Sequence, residues 1–317
     1  MAEATGTADP ERQAPDGEPG LVQRLPIPSL SFEMALLLPS IVFLAVISFI
    51  PLFALLWMSV MEVGIVAGRS SEFVGLEHYA DVLTDARHIN SWWTTVLYVG
   101  SALVLQTVLG VLLAVSLDAV DRAENVFTSV IIMPMMVAPV VVGLLWDFML
   151  SNTFGLYAFI LHQFGLFTET PILASDQFAL PALVIMDTWQ WTPLIVLIVL
   201  ARLKSIPNQV YEAAAIDGAD PWQRFRYVTY PLIKPAIAIA LLLRSMDLLR
   251  FFDKIFITTG GGPADATKVI GMFIYEQGLR YQNYGPASAL GILLLVVTIV
   301  IGFLFVEYFM GGAGDDE

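Results

Sequence analysis

Residues Tyr211–Pro235, YEAAAIDGADPWQRFRYVTYPLIKP, form a polar stretch between two apolar segments of this 317-residue chain. The stretch opens with strong helix formers, from Tyr211 to Ile216. Asp217-Gly218 follows, and glycine readily adopts the left-handed backbone conformation that ends a helix. These residues predict one short helix that stops at Gly218.

A second helix is predicted directly after this turn. Asp220 is a good N-cap residue, and Pro221 fits the first turn of a helix. We expect this helix to end near Tyr230-Pro231. The stretch therefore predicts a helix–turn–helix on the surface of a membrane.

The composition assigns the chain to the membrane proteins. Hydrophobic residues make up 57% of it, charged residues only 14%, and the mean hydropathy is +0.74. A soluble protein carries about 25% charged residues. A net charge of −14 argues against nucleic acid as a partner. The chain has no cysteine, and its three histidines lie in no ligand-spaced cluster, so we predict no metal site.

Apolar stretches of bilayer-spanning length predict an all-α integral membrane protein with six transmembrane helices. We expect residues 1–30 to be a disordered tail, residues 31–310 a transmembrane domain and residues 311–317 an acidic C-terminal tail. The six expected spans are about 34–61, 92–117, 126–150, 178–201, 233–252 and 286–310.

The distribution of Lys and Arg predicts the orientation. The loop of about 202–235 holds five of them, whereas the loop of about 151–177 holds none. The positive-inside rule places the first loop and both termini in the cytoplasm. The loop after the fifth span argues the other way, since it holds Lys254, Lys268 and Arg280.

The polar stretch resembles the EAA loop of binding-protein-dependent ABC importer permeases of type I, in the MalF-like sugar-permease family. That pattern is E-A-A, then a glycine, then a hydrophobic-x-P-L-x-x-P tail. Glu212-Ala213-Ala214, Asp217-Gly218 and Pro231-Leu232-Ile233-Lys234-Pro235 stand at the matching places. The resemblance covers about residues 32–310 and implies that this loop couples the chain to an ATPase, which requires it to be cytoplasmic.

A second stretch, 251–263, resembles the F-D-x-I-x-x-x-T-G-G-G-P pattern of sugar permeases. Gly260-Gly261-Gly262-Pro263 predicts a tight turn on the outer side. The turn either touches a docked binding protein or merely connects two helices, and turn residues leave both interpretations open.

The sequence has no G-x-x-x-x-G-K-[ST] phosphate loop and no catalytic arrangement of side chains, so we predict a non-enzymatic subunit without a cofactor of its own. The resemblance implies that ATP and Mg are bound by a separate ABC ATPase dimer. It further implies a second permease subunit, in a heterodimer, and a periplasmic or lipid-anchored sugar-binding protein. An ion-driven carrier and a non-transporting assembly subunit are the alternatives.

Polar side chains within the spans are the candidates for the substrate pathway, because such residues usually face a bundle interior. Asp187, Gln190 and Trp191 share one helix face, next to Trp189. This set suits the hydroxyls and the apolar face of a sugar, but a structural helix–helix hydrogen bond explains it equally well. Asp147, beside Trp146, is a further candidate.

The fifth span carries Arg244, Asp247 and Arg250 at spacings of three residues. We expect a structural ladder of ion pairs, since pairing lowers the cost of burying each charge. Asp247 is also a candidate for the substrate pathway.

Overall fold

The computed structural model describes residues 32–64, 71–120 and 123–310, with side chains described from 36 to 307 within these ranges. The predicted tails, residues 1–30 and 311–317, lie outside the described residues. The described backbone is mainly helical, as predicted. Its α-helices are α1 (Phe32–Ser59), α2 (Glu77–Thr84), α3 (Ala86–Asp118), α4 (Glu124–Ile132), α5 (Pro139–Leu150), α6 (Leu156–Gln163), α7 (Ala179–Lys204), α8 (Asn208–Ile216), α9 (Pro221–Arg224), α10 (Tyr230–Leu249), α11 (Asp253–Thr258), α12 (Ile270–Tyr275) and α13 (Tyr284–Met310).

Short elements complete the backbone. Two-residue strands, β1 (Met61–Glu62) and β2 (Glu72–Phe73), pair in antiparallel register. The 3₁₀ turns are Met133–Met136 and Ile172–Ala174, and the π turns are Phe225–Thr229 and Glu276–Arg280.

Among the described residues, four helices are long and apolar enough to cross a bilayer. These segments are Leu36–Ser59, Ala86–Asp118, Ala179–Lys204 and Tyr284–Glu307. A fifth candidate is the pair Glu124–Met136 and Pro139–Leu150, whose axes differ by 94°. The third expected span, about 126–150, corresponds to this bent pair. Val137 and Ala138 are extended rather than helical, so the chain turns before Pro139 starts the next helix.

The fifth expected span, about 233–252, falls in α10. Its 20 residues measure about 30 Å along the axis, the thickness of a bilayer core. However, α10 carries Lys234, Arg244 and Asp247 and does not belong to the apolar set above. The count of six spans stays a prediction.

By its internal contacts the chain divides into a first unit that ends at Ile50 and a second that begins at Pro51. The described part of the first unit is α1 up to Ile50. The second unit is built around α3 and α7, whose contact is the most extensive between its described elements. At Gly110 a Cβ atom would lie 2.7 Å from Cγ2 of Ile195, so glycine is required for this close approach.

The described residues form three clusters of buried apolar side chains, and two of them surround α3. One surrounds the N-terminal half of α3 and includes Tyr98, Leu183 and Ile255. The other surrounds the C-terminal end of α3 and includes Leu117 and Ile195. Polar side chains buried beside such clusters need hydrogen-bond partners within the protein. Groups of buried polar side chains are therefore candidate sites.

Candidate functional site

The first candidate site is the coupling segment, defined here as residues 208–230. Helix α8 ends at Ile216, and Gly218, two residues further on, has a φ of +79°. The Gly218 amide donates to the Ala215 carbonyl and the Ala219 amide to the Ala214 carbonyl, the hydrogen bonds of a Schellman cap. The predicted left-handed stop at Gly218 is confirmed.

The second helix of the coupling segment starts as predicted. Asp220 Oδ1 accepts a hydrogen bond from the Gln223 amide at 2.9 Å, and Gln223 Oε1 accepts one from the Asp220 amide at 3.0 Å. With Pro221 in the first turn, this is a complete capping box.

The predicted end of this helix near Tyr230-Pro231 was wrong. After α9 the backbone passes through the π turn Phe225–Thr229 and continues as α10, with Pro231 in its first turn. The Tyr230 amide donates to the Phe225 carbonyl, five residues back. Since a proline lacks the donor and crowds the preceding turn, a widened turn directly before it lets the helix continue.

The outer face of the coupling segment carries side chains that no other part of this chain covers. Glu212 and Ala213 are exposed, and Ala214 is half-buried. The large apolar side chains of Ile216, Trp222 and Tyr227 follow, with exposed fractions of 86%, 69% and 74%.

The segment is tied to the helix ends beneath it by polar contacts. Lys204 pairs with Asp118 at 3.3 Å and with Glu124 at 3.0 Å. Arg202 Nε donates to the Leu232 carbonyl at 2.9 Å. Because these bonds join the ends of α3, α4, α7 and α10, they fix the base from which the coupling segment projects.

The second candidate site is the buried charge cluster, formed by Asp187, Gln106, Arg244, Lys254 and Asp247. The first four side chains are at most 1% exposed, and Asp247 is 50% exposed. Oδ1 of Asp187 lies 2.7 Å from Nζ of Lys254. Its Oδ2 accepts hydrogen bonds from Gln106 Nε2, at 2.7 Å, and from Arg244.

Arg244 connects the cluster to its exposed edge. It donates to Asp187 and Asp247 and, through Nε, to Gln106 Oε1 at 2.8 Å. Its guanidinium carbon lies 4.9 Å from the centroid of the Trp191 ring. The formal charges of two acids and two bases cancel, which favours burial of the group.

Candidates for the substrate pathway and for the ladder of ion pairs belong to one cluster in the structure. Asp187, a pathway candidate, shares Arg244 with the predicted ladder. Arg250 ends α10 and donates to the Met246 carbonyl at 3.3 Å, and it makes no ion pair with any described residue. The predicted ladder therefore does not extend to Arg250.

Lys254 and Gln106 were missed from the sequence. Lys254 follows Phe252-Asp253 within the second motif, so its position was visible although its partner was not. Gln106 is a polar residue in the middle of a predicted span, a signal that could have identified it.

The remaining pathway candidates lie apart from this cluster. Gln190 is fully buried, and its Nε2 donates to the Val137 carbonyl, at the bend before α5, over 2.7 Å. Trp189 is 42% exposed and packs edge-on against Trp146, with 6.1 Å between ring centroids. Asp147 is exposed on α5. The predicted sugar-binding set is therefore not gathered around one open space in this conformation.

The glycine turn, residues 259–263, is the third candidate site. Gly260 and Gly261 have φ values of +59° and +91°, so the predicted tight turn is confirmed. Thr267 Oγ1 donates to the Gly262 carbonyl at 2.7 Å. Beside the turn, Lys268 pairs with Asp265 at 2.6 Å and Glu276 at 2.9 Å.

Lys268 keeps its positive charge in this position. Burial lowers the pKa of its ammonium group, but the hydrogen bonds to Asp265 and Glu276 outweigh burial and raise the pKa above its ordinary value. Its side chain also packs on the turn, since Cε would lie 3.2 Å from a Cβ atom added at Gly261.

Comparison with known proteins identifies the family. Residues 106–310 match the family model described as "Binding-protein-dependent transport system inner membrane component". The chain belongs to this family. Membership makes it an inner-membrane subunit of an ABC transport system and sets aside both alternatives considered from the sequence.

Named relatives of this permease align over most of its length. It is 33% identical over 274 residues to the trehalose/maltose transport system permease protein MalF of Thermococcus litoralis, covering 86% of this chain and 91% of the relative. It is 32% identical over 292 residues to the sn-glycerol-3-phosphate transport system permease protein UgpA of Agrobacterium fabrum, covering 90% and 98%.

Solved structures confirm the permease fold. A chain of the bacterial alginate ABC transporter, crystallised in complex with an alginate pentasaccharide-bound periplasmic protein, superposes with a TM-score of 0.75 at 25% identity. The match covers 86% of this permease and 92% of that chain. The methionine transporter MetNI gives a TM-score of 0.53 at 17% identity, which reflects the shared fold.

Proposed function

We propose that this permease is one of two different membrane subunits of an ATP-driven importer. The importer carries a monosaccharide, disaccharide or polyol, delivered by a substrate-binding protein, across the bacterial cytoplasmic membrane. The names of the relatives support this substrate class, since they refer to trehalose and maltose, to sn-glycerol-3-phosphate and to alginate.

The observation that carries the proposal is the placement of the two motif segments at opposite ends of α3. Asn90, near the start of α3, donates to the Asp265 carbonyl beside the glycine turn at 3.4 Å. Asp118, its last residue, pairs with Lys204 at the base of the coupling segment. The 33 residues of α3 measure about 50 Å, more than the bilayer core of about 30 Å. One segment thus reaches each side of the membrane.

The coupling segment has the surface that an ATPase subunit requires. Ile216, Trp222 and Tyr227 offer large apolar side chains, and Glu212 offers an anionic anchor. Exposed aromatic side chains of this kind dominate binding energies at protein interfaces. We assign this surface to the separate ATPase dimer, which binds ATP and Mg.

The transport cycle follows from this arrangement. ATP closes the ATPase dimer, the coupling segments of both permease subunits move with it, and the pathway opens outward. The glycine turn then meets the binding protein on the outer side. In this topology the chain has six spans, with α10 as the fifth, and both termini are cytoplasmic.

Cysteine labelling tests the topology, because the chain has no native cysteine to remove. We expect cysteines at Ser151 and Ala264 to react with an impermeant maleimide in intact cells, and a cysteine at Asn208 to react only after the membrane is opened. Copurification of the tagged chain with an ATPase and a second permease, and ATP-dependent sugar uptake by the reconstituted complex, test the function. The reverse labelling pattern, or uptake without ATP, would refute the proposal.

A further inference from the structure

An apolar pocket of about 400 Å³ lies between α5, α6 and the first turns of α7, apart from the sites described above. No charged side chain lines it among the described residues. Its described lining consists of Trp146, Leu150, Tyr157, Ile160, Leu161, Phe167, Ile172, Phe178, Pro181, Ala182 and Ile185.

The wall of this pocket is held in shape by a strained residue. Phe167 has a φ of +59°, a conformation that costs energy for any residue with a side chain. Its carbonyl lies 3.0 Å from His162 Nε2, and its ring packs edge-on against Phe178. With these contacts the Phe167 ring forms part of the pocket wall.

The pocket opens onto an apolar surface within the membrane region. Ile185 lies at its rim, six residues into α7, or about 9 Å below the start of that helix. The side chain of Ile185 is 53% exposed, and that of Ile160, also at the rim, is 44% exposed. In this chain by itself, exposed apolar side chains at this depth of a spanning helix are accessible to hydrocarbon.

We propose that this pocket binds one acyl chain of a membrane lipid. A sugar would lose the hydrogen bonds of its hydroxyl groups there, because the lining offers almost no polar partner. A hydrocarbon chain has no hydrogen bonds to lose. Inside the pocket it also gains van der Waals contacts that a lipid lying across the opening would not make. An acyl chain in the pocket touches Trp146, and Trp146 in turn contacts Trp189, so the bound lipid supports a residue predicted for the substrate pathway.

The test is photochemical labelling of the full-length chain, with the subunits that copurify with it, in nanodiscs. The probe is a phosphatidylcholine with a diazirine group in one acyl chain, and mass spectrometry locates the labelled residues. We expect labels on residues 156–163 and 178–185. Filling the pocket with Ala182→Phe should reduce these labels about tenfold, which corresponds to a modest change in binding free energy.

Two further variants keep the result interpretable. Ala201→Phe makes the same change at an exposed alanine near the other end of α7, and it should leave the labels unchanged. Ile185→Trp blocks the pocket from its exposed rim, so it should reduce the labels even if Ala182→Phe fails to fold.

Three results would overturn the proposal. Labels at these residues that survive both filling variants would mean ordinary contact with surrounding lipid. A cross-link from this surface to a second permease chain would mean that protein covers the pocket. Protection of the residues by added sugar would make it a substrate site. A refutation here leaves the importer function untouched, since the labelling requires neither ATP nor transport.

Discussion

Replacing Asp187 by asparagine should destabilise the permease more than any other single removal of charge within the buried cluster. The carboxylate of Asp187 accepts hydrogen bonds from both Arg244 and Lys254, and all three side chains are at most 1% exposed. Asp187→Asn leaves two buried cations facing a neutral amide. Breaking a buried pair in this way costs about 3–5 kcal/mol. In a chain of this size, that lowers the unfolding midpoint by on the order of 10 °C.

A second substitution should reverse part of this loss. Lys254→Met removes one of the two cations and keeps a side chain of similar length. In the double variant Arg244 and Asp247 remain as a neutral pair, so the midpoint should recover by at least half. Each single variant should therefore be less stable than the two changes combined, which is the signature of direct coupling.

The assay is heating of the purified complex followed by size-exclusion chromatography, in parallel with sugar uptake in proteoliposomes. Asp176→Asn, at an exposed loop position shortly before α7, is the matched control and should keep the wild-type midpoint. The reasoning is refuted if Asp187→Asn keeps wild-type stability and loses uptake, because Asp187 would then act on substrate. It is also refuted if the losses from Asp187→Asn and Lys254→Met simply add.

Three further predictions concern the other sites. Gly218→Val should leave the chain in the membrane but abolish sugar-stimulated ATPase activity, because a β-branched residue resists a φ of +79°. The control is Gly100→Val, at a helical position where a Cβ atom meets no neighbour. Unimpaired ATPase stimulation in the Gly218→Val variant would contradict the coupling role. Gly260→Asn should be tolerated, whereas Gly261→Asn should weaken the stimulation of ATPase activity by the binding protein. The reason is that only a Cβ atom at Gly261 would press on Lys268. Equal ATPase stimulation in the two variants would contradict this prediction. Gln190→Ala should lower the free energy of unfolding by about 1–3 kcal/mol, because the Val137 carbonyl loses its hydrogen-bond donor. An unchanged melting midpoint together with an altered sugar preference would instead indicate that Gln190 contacts the sugar.

Local signals in the sequence were sufficient for the turns. Gly218 and Asp220 act through the backbone of their own neighbours, so their sequence context determines their geometry. The same applies to the glycine turn. These elements could be predicted because their hydrogen bonds span only a few residues.

Proline shows where such local signals stop being sufficient. Pro193 lies inside α7 and Pro235 inside α10, and both helices continue past them. Pro139 instead follows a bend of 94°. At this bend the carbonyl of Val137 accepts a hydrogen bond from Gln190, which lies 53 residues away along the chain. The sequence around Val137 could not predict this hydrogen bond.

The partners of Asp187 were hidden for the same reason. Gln106, Arg244 and Lys254 lie 81, 57 and 67 residues away, on three different helices. The sequence predicted that charged side chains in the spans must pair. It could not show which helix faces meet, since that depends on close packing such as that of Gly110 against Ile195.

The backbone from Pro221 to Leu249 is helical without interruption. No flexible joint separates Trp222, on the exposed coupling surface, from Arg244 in the charge cluster. The 22 helical steps from Trp222 to Arg244 measure about 33 Å. A tilt of the helix at Trp222 would therefore also move Arg244, through the widened π turn at Phe225–Thr229. In the transport cycle proposed above, a movement of Trp222 would be passed along this helical backbone to the buried charge cluster.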